Sequence, residues 1–353
     1  MIHWKETAEV LARLDELAGA GRRAALATVV RIAGSAYRRP GAKLLVEEGG
    51  GALGGVSGGC LEADVREVAQ AVLAAGKPTL RHYNTGNDED VVWGLGLGCN
   101  GLVDVLVQPA TDGPLAALAG RWRELLAGDA PFAVLTTVAE GEELGAVRLV
   151  APGERLPALP LMGGAGVHEL AGRAVFVEPF APPPHLLVCG AGDDAIPLVA
   201  YAADAGFRVT VADHRPALLE PGRFPRAARL LPARPEEPDV ALPSAARTLA
   251  VVKTHSLAHD RAWVRRLLAA GLAYVGVLGP RERTRGILRD IGAEGDERVF
   301  GPVGLDLGAD GPWQVATSIV AELLAFGARR EPRHLSLRDE AIHAGEGDLA
   351  RPS

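Results

Sequence analysis

The sequence predicts an α/β protein: an N-terminal α/β domain followed by a C-terminal Rossmann-like doubly wound parallel sheet. Three observations carry this reading. The 353 residues are 48% apolar, enough for real cores, and a chain of this length is expected to divide into two domains. From His185 onward, short apolar strand-like runs alternate with helical segments, the pattern of a parallel sheet. The first of those runs ends in Gly190-Ala-Gly192-Asp-Asp-Ala195, a G-x-G-x-x-A turn opening a helix, and Asp213 lies 21 residues beyond Gly192.

In the first half, residues 4–18 read as an amphipathic helix with Val10, Leu11, Leu14 and Leu17 on one side. Residues 23–32 have the β-branched richness of a buried strand, and 42–47 form another. Arg31, Arg38, Arg39 and Lys43 fall in this stretch with no acid between them. They make either a solvated loop or a clamp for phosphate, because guanidinium forks suit anionic oxygens. Next comes Gly49 to Glu62, GGGALGGVSGGCLE, running into a helix over 62–75 in which Leu61, Val65, Val68 and Val72 recur at helical spacing. Glycine-rich backbone at a helix start offers free N–H groups and the positive end of the dipole to an anion. The plainer alternative is a tight hairpin-to-helix connection with Cys60 as a small buried residue.

A short strand at 79–83 and a polar turn at 84–90 precede a second glycine stretch, Gly94 to Gly101, which holds Cys99 and Asn100 and leads into the strand 102–107. A helix at 115–127 and strands near 132–138, 145–150 and 173–178 complete this domain. Ala181-Pro-Pro-Pro184 stiffens the chain toward polyproline II and excludes a helix. The boundaries are therefore 1–180, a linker at 181–185, a Rossmann-like domain at 186–327, and a loose charged tail at 328–353.

In the second half, strands are expected at 185–190, 207–212, 249–253 and 273–278, with helical segments at 194–205, 259–270 and 281–291 and an apolar helix at 313–326. Ligands in such sheets sit beyond the carboxyl ends of the strands. Gly190 and Gly192 would then face a diphosphate, Asp213 a ribose hydroxyl pair, and His255 the crevice. The alternative for His255 is a helix-capping loop, and Asp260 is either a helix N-terminal charge or part of the site. Cys189 reads as a packing residue on the core strand.

The formal net charge of −7 argues against a general nucleic-acid binder. Cys60, Cys99 and Cys189 are too few and too scattered for a disulfide framework or zinc site, so a reducing cytoplasm fits best. The N-terminal MIHWKETAEV has no apolar h-region, and no stretch approaches the roughly 18 apolar residues of a membrane span.

With these segments in hand, the chain resembles the XdhC/CoxI family of xanthine dehydrogenase accessory proteins. The match is an ordered series: A-T-V-V (27–30), G-S-A-Y-R-R-P-G-A-K (34–43), G-G-V-S-G-G-C-L-E (54–62) and G-L-G-C-N-G (96–101). It continues through C-G-A-G-D-D-A-I-P-L (189–198), V-A-D-H-R (211–215), T-H (254–255) and Y-V-G-V-L-G-P-R (274–281). It closes with G-P-V-G-L-D-L-G-A (301–309) and A-T-S-I-V-A-E-L-L-A (316–325).

The resemblance implies a maturation factor, not a metabolic enzyme. Such a protein binds molybdenum cofactor (molybdopterin, alone or as a dinucleotide) while a cysteine desulfurase replaces an oxo ligand by sulfur. It then delivers the cofactor to a xanthine dehydrogenase-type molybdoenzyme. On this reading the candidate cofactor-binding residues are Ser35, Arg38 and Arg39, then Ser57, Gly58, Gly59, Cys60 and Glu62, then Cys99 and Asn100. Gly190, Gly192, Asp213 and His255 join them from the Rossmann half. Cys60 and Cys99 are the candidate molybdenum contacts, since soft thiolates suit that metal, and no residue is assigned a catalytic role. Two departures matter: Asp193 stands where the family usually has histidine, placing a carboxylate where a dinucleotide's diphosphate would lie, and Asn100 stands where it has glycine. Alternative readings are an NAD(P)-dependent oxidoreductase and a non-catalytic scaffold for the partner enzyme. A homodimer is the expected oligomer.

Overall fold

Helix α1 (Ile2–Gly19) opens the chain and buries Val10, Leu11, Leu14 and Leu17 along one stripe. The computed structural model describes residues 2–34, 38–84, 101–154, 164–237 and 243–337, so Ser35, Cys99, Asn100 and residues 338–353 of the expected tail lie outside the described residues. Contacts divide the chain into two units, here residues 2–182 and 183–337.

In the first unit, β1 (Ala24–Gly34), β2 (Lys43–Glu47) and β3 (Ala52–Gly54) precede α2 (Glu62–Ala75), β4 (Thr79–Asn84) and β5 (Gly101–Pro109). The five strands form an antiparallel sheet in the order β3-β2-β1-β5-β4. Helix α2 covers one face, packing Val65, Ala69, Val72 and Leu73 against Ala27, Val29, Val105 and Val107. Then come α3 (Gly113–Ala127), β6 (Phe132–Thr137), β7 (Val147–Val150), β8 (Gly166–Leu170) and β9 (Arg173–Phe180). These strands make a second antiparallel sheet in the order β7-β6-β9-β8. Trp4, Trp122, Phe132 and Phe180 cluster edge-to-face and stacked in the core shared by α1, α3 and this sheet.

The glycine stretch 49–62 is not one helix-start loop. Its first glycines make the β2–β3 turn, closed by Glu47 N–H to Gly51 O at 2.8 Å and Gly50 N–H to Glu47 O at 2.9 Å. Gly54 has φ 90°, and a Cβ there would stand 2.3 Å from the Lys43 carbonyl oxygen, so only glycine allows this pairing. Strand β8 is absent from the sequence expectation, because its residues, GVHEL, are half-exposed and weakly alternating.

The second unit contains β10 (His185–Cys189), α4 (Ala195–Asp204), β11 (Arg208–Asp213), β12 (Arg229–Pro232), β13 (Thr248–Val252) and α5 (Leu257–Ala269). It ends with β14 (Val275–Val277), α6 (Arg281–Ile291), β15 (Val299–Phe300) and α7 (Gly311–Gly327). All six strands are parallel, in the order β12-β11-β10-β13-β14-β15. Renumbered within the unit this is 3-2-1-4-5-6, the Rossmann order, with its switch point between β10 and β13. Leu186, Val188, Val209 and Val251 point to a layer built from α4 and α7. Leu187, Cys189, Ala212 and Val252 point to the opposite layer, where α5 and α6 lie. Cys189 is thus a buried packing residue, and burial pushes its thiol well above its ordinary pKa. Among the described residues, no helix is long and apolar enough to cross a membrane.

Candidate functional site

Each of the two glycine-rich turns expected to offer anion sites carries a carboxylate of the chain itself, Glu62 in the first and Asp194 in the second. The first lies between β3 and α2. Glu62 accepts hydrogen bonds from the N–H groups of Ser57 (2.8 Å) and Val56 (3.2 Å) and from the Ser57 hydroxyl. The Ser57 oxygen in turn accepts from the N–H groups of Gly59 and Leu61, each at 3.1 Å. This reciprocal arrangement is an extended relative of the capping box. Burial by itself would raise the Glu62 carboxyl, but the hydrogen bonds from Ser57 and Val56 outweigh it and hold it below the ordinary carboxylate range.

The loop therefore has two sides. The N–H groups of Val56, Ser57, Gly59 and Leu61 turn inward to Ser57 and Glu62, while those of Gly58 and Cys60 stay outside this network. Gly58 and Gly59 are exposed, Gly59 has φ 115°, and a Cβ on Gly59 would meet nothing within 4 Å. Cys60 is half-buried, packed on the edge of the α2 core between exposed Gly59 and buried Leu61. Ser57, Gly58, Gly59, Cys60 and Glu62 are thus brought together, with Ser57 and Glu62 as the braces of the loop.

The expected positive patch is not a free cluster. Arg38 donates to Glu6 at 2.6 Å. Arg31 lies 3.7 Å from Asp104 across the β1–β5 pairing. Lys43 is buried against Glu178. Arg39 is half-buried beside them in sequence. No acid separates these residues along the chain, yet acids from α1, β5 and β9 reach three of them in space.

The second site is the crevice at the switch point of the Rossmann unit. Gly190 has φ 123°, and a Cβ there would lie 2.5 Å from the Lys253 carbonyl oxygen, so the loops after β10 and β13 touch backbone to backbone. Asp194, at the start of α4, stands 2.6 Å from Lys253 Nζ and 3.0 Å from His255 Nε2. Burial opposes its charge, but Lys253 and His255 keep its carboxyl below the ordinary range. Lys253 is buried, and desolvation lowers its own pKa. His255 is an exposed non-glycine residue at φ 59°, a conformation that such a residue adopts only when its surroundings hold it. Asp193 pairs with Arg223 at 2.6 Å.

Asp213 ends β11 at the position that the sequence reading assigned to a ribose hydroxyl pair, and in the structure it is held by the chain's own donors. Its carboxylate accepts from Ala191 N–H (2.8 Å), from Arg215 N–H (2.9 Å) and from Arg215 Nε and Nη2 (both 3.0 Å). Burial raises its carboxyl, but these bonds dominate and draw the pKa down to about 2. Asp260, on α5, is buried, accepts from Thr254 N–H at 3.0 Å, and pairs with Arg283 of α6 at 2.6 Å, which ties the loop after β13 to α6. Gly190, Gly192, Asp213 and His255 do converge on one crevice. Sequence reasoning missed Asp194 and Arg223 as members; the paired Asp193-Asp194 inside the glycine turn was the available signal.

Two family models match the chain in separate stretches. The model of the XdhC and CoxI family matches residues 17–84, and that of the XdhC Rossmann domain matches residues 186–323. A Bacillus subtilis (strain 168) protein described as a probable xanthine dehydrogenase component is 34% identical over 320 residues, covering 88% of this chain and 95% of that one. An uncharacterized Escherichia coli (strain K12) protein, YqeB, is 30% identical over 189 residues, half of this chain and 35% of its own length. A crystal structure described as a xanthine dehydrogenase from Bacillus halodurans superposes with a TM-score of 0.74 at 30% identity, covering 91% of this chain and 96% of that one. The chain belongs to the XdhC and CoxI family.

Proposed function

We propose that this chain is a maturation factor that binds molybdenum cofactor, holds it for sulfuration by a cysteine desulfurase, and delivers it to a xanthine dehydrogenase-type molybdoenzyme. The observation that supports this is the two-sided loop at 55–61. Ser57 and Glu62 consume its inward donors, and Cys60 is left beside exposed Gly58 and Gly59 with two N–H groups outside the network. A thiol on an open, braced loop fits a soft metal or its sulfur ligands, and the adjacent N–H groups fit an anionic oxygen. The bound cofactor would supply the metal centre whose terminal ligand is exchanged. The chain's residues would contribute the Cys60 contact, the Gly58 and Cys60 donors, and the rigidity set by Ser57 and Glu62. Ser35, Cys99 and Asn100 are the further candidates in this reading. The role is that of a carrier, with no residue assigned a catalytic step, in the cytoplasm where its partner enzyme is assembled.

The test is to co-express the protein with the cofactor synthesis machinery and release bound pterin as its fluorescent oxidation product. Near-stoichiometric pterin that falls strongly in Cys60→Ala is expected. A protein that stays pterin-free while a control molybdoprotein fills would overturn the reading.

The Rossmann strand order favours a second reading, an NAD(P)-dependent oxidoreductase. Against it, Asp213 already accepts from Ala191 N–H and from Arg215, and the carboxylates of Asp193 and Asp194 at the start of α4 repel a diphosphate.

A further inference from the structure

The two sheets of the first unit enclose a small cavity. Strands β1, β2 and β5 on one side, β6 and β9 on the other, and helix α3 supply its wall. It offers about 10 Å³ to a water-sized occupant, close to the least that admits one water molecule. Five polar side chains reach it: Thr28, Lys43, Gln108, Thr136 and Glu178, none more than 8% exposed. The remaining wall is leucine, valine, phenylalanine and tryptophan.

The hydrogen bonds of these five do not close on one another. Lys43 Nζ donates to the Gly41 carbonyl at 2.9 Å and to the Glu178 carboxylate, which leaves one of its three N–H groups. Glu178 receives that one bond, although a carboxylate accepts several. The Thr28 and Thr136 hydroxyls and the Gln108 amide have no hydrogen-bond partner among the described residues. Buried polar groups of folded proteins are nearly always paired, with protein or with ordered water.

We propose that this cavity is a binding site for one water molecule, held by the Glu178 carboxylate and the hydroxyls of Thr28 and Thr136, with Gln108 completing its shell. The chemistry selects the occupant. Glu178 lacks a donor and the Lys43 ammonium lacks an acceptor, and water is both. A cation would lie against that ammonium and an anion against the carboxylate, each repelled at close range. The bound water joins Thr28 of the five-stranded sheet to Thr136 and Glu178 of the four-stranded sheet, the same two layers that the Lys43–Glu178 pair connects. It also gives Glu178 a second donor where burial raises the carboxyl. This inference is independent of the cofactor reading.

The test pairs a crystal structure of the full chain, at a resolution that shows ordered water, with oxygen-17 magnetic relaxation dispersion, which counts waters bound for longer than the protein takes to tumble. The wild type should show a solvent peak in the cavity within hydrogen-bond reach of Glu178 and of one of the two threonines. Thr28→Val combined with Thr136→Val nearly keeps the volume and removes both hydroxyls. Its count of long-lived waters should fall by one while circular dichroism stays native. A wild-type cavity with no solvent peak overturns the proposal. So does a natively folded double variant whose count is unchanged, because the hydroxyls then hold nothing.

Discussion

Asp194 and Lys253 meet at the start of α4, carboxylate to ammonium at 2.6 Å, with the lysine buried and His255 on the other carboxylate oxygen. Anion sites at helix starts depend on free N–H groups and an unopposed dipole. Here the Asp194 carboxylate pairs with Lys253 and His255 and makes no capping hydrogen bond to α4, whereas Glu62 accepts from the N–H groups of Val56 and Ser57 in the loop before α2. The glycine fingerprint supplies close backbone approach, which Gly190 needs, and it stands beside the carboxylates of Asp193 and Asp194, which repel a diphosphate. Titration of the wild type with NAD+ and NADP+ by calorimetry should show no saturable binding in the sub-millimolar range. Saturable heat would revive the oxidoreductase reading.

The same pair makes a stability prediction. Asp194→Asn leaves the Lys253 ammonium buried without its carboxylate, and the cost should be on the order of 2–3 kcal/mol. Asp194→Asn combined with Lys253→Met should lose less than the two single changes summed, because the double variant strands no charge. Urea unfolding of the four proteins measures the coupling, and additive losses would show that the pair is uncoupled.

Ser57 should matter more to Cys60 than its neutrality suggests. Its hydroxyl oxygen accepts from Gly59 and Leu61, on either side of Cys60, while it donates to Glu62. Ser57→Ala removes all three bonds and should cost about 1–2 kcal/mol locally. Peptide-resolved alkylation should show Cys60 labelling accelerate in the variant, with Cys189 still protected by burial. Unchanged Cys60 labelling would mean the brace does not set that residue's exposure.

The Rossmann half is legible because parallel strands, covered on both faces, are written as continuous apolar runs such as LLVC, VTVA and LAVV. The first half is less so. Its strands can be located, apart from β3 and β8, but antiparallel pairing is set by partners distant in sequence: β1 pairs with both β2 and β5. Charges mislead for the same reason. Arg31, Arg38 and Lys43 look unopposed because Asp104, Glu6 and Glu178 come from β5, α1 and β9. The glycines of 49–62 read as one feature, although Gly50 and Gly54 serve a hairpin and Gly58 and Gly59 a loop. Composition shows that a segment must turn; only tertiary contact shows which turn each glycine serves.

Asp213 gives a pH dependence with a definite sign. Its folded pKa is drawn from 3.8 down to about 2 by Arg215 and the Ala191 N–H despite burial. A depressed carboxylate stabilises the fold fully above its unfolded value and loses that contribution as pH falls through the folded value. The window is therefore roughly pH 4 to pH 2, and a shift of this size corresponds to about 2 kcal/mol. Asp213→Asn should be less stable than wild type near neutrality, with the gap narrowing across that window. A constant gap in unfolding free energy would assign the loss to packing instead of charge.

The Lys43–Glu178 pair separates the cost of burying charge from its use. Lys43 lies on β2 of the five-stranded sheet and Glu178 on β9 of the four-stranded sheet, so the pair joins the two sheets of the first unit. Lys43 also donates to the Gly41 carbonyl at 2.9 Å and stands 5.6 Å from the Trp122 ring centroid. Burial raises the Glu178 carboxyl even against the pull of Lys43. What favours the charged form of the glutamate is the pull of Lys43. Lys43→Met should cost about 3–5 kcal/mol, since it strands a buried carboxylate. Lys43→Met with Glu178→Leu should recover most of that loss, because two apolar side chains of similar size need no counter-charge. Thermal and urea unfolding of the single and double variants decide the matter. A double variant as unstable as Lys43→Met would mean that the lysine works through its Gly41 bond and its aromatic neighbours, and the ion pair itself adds little.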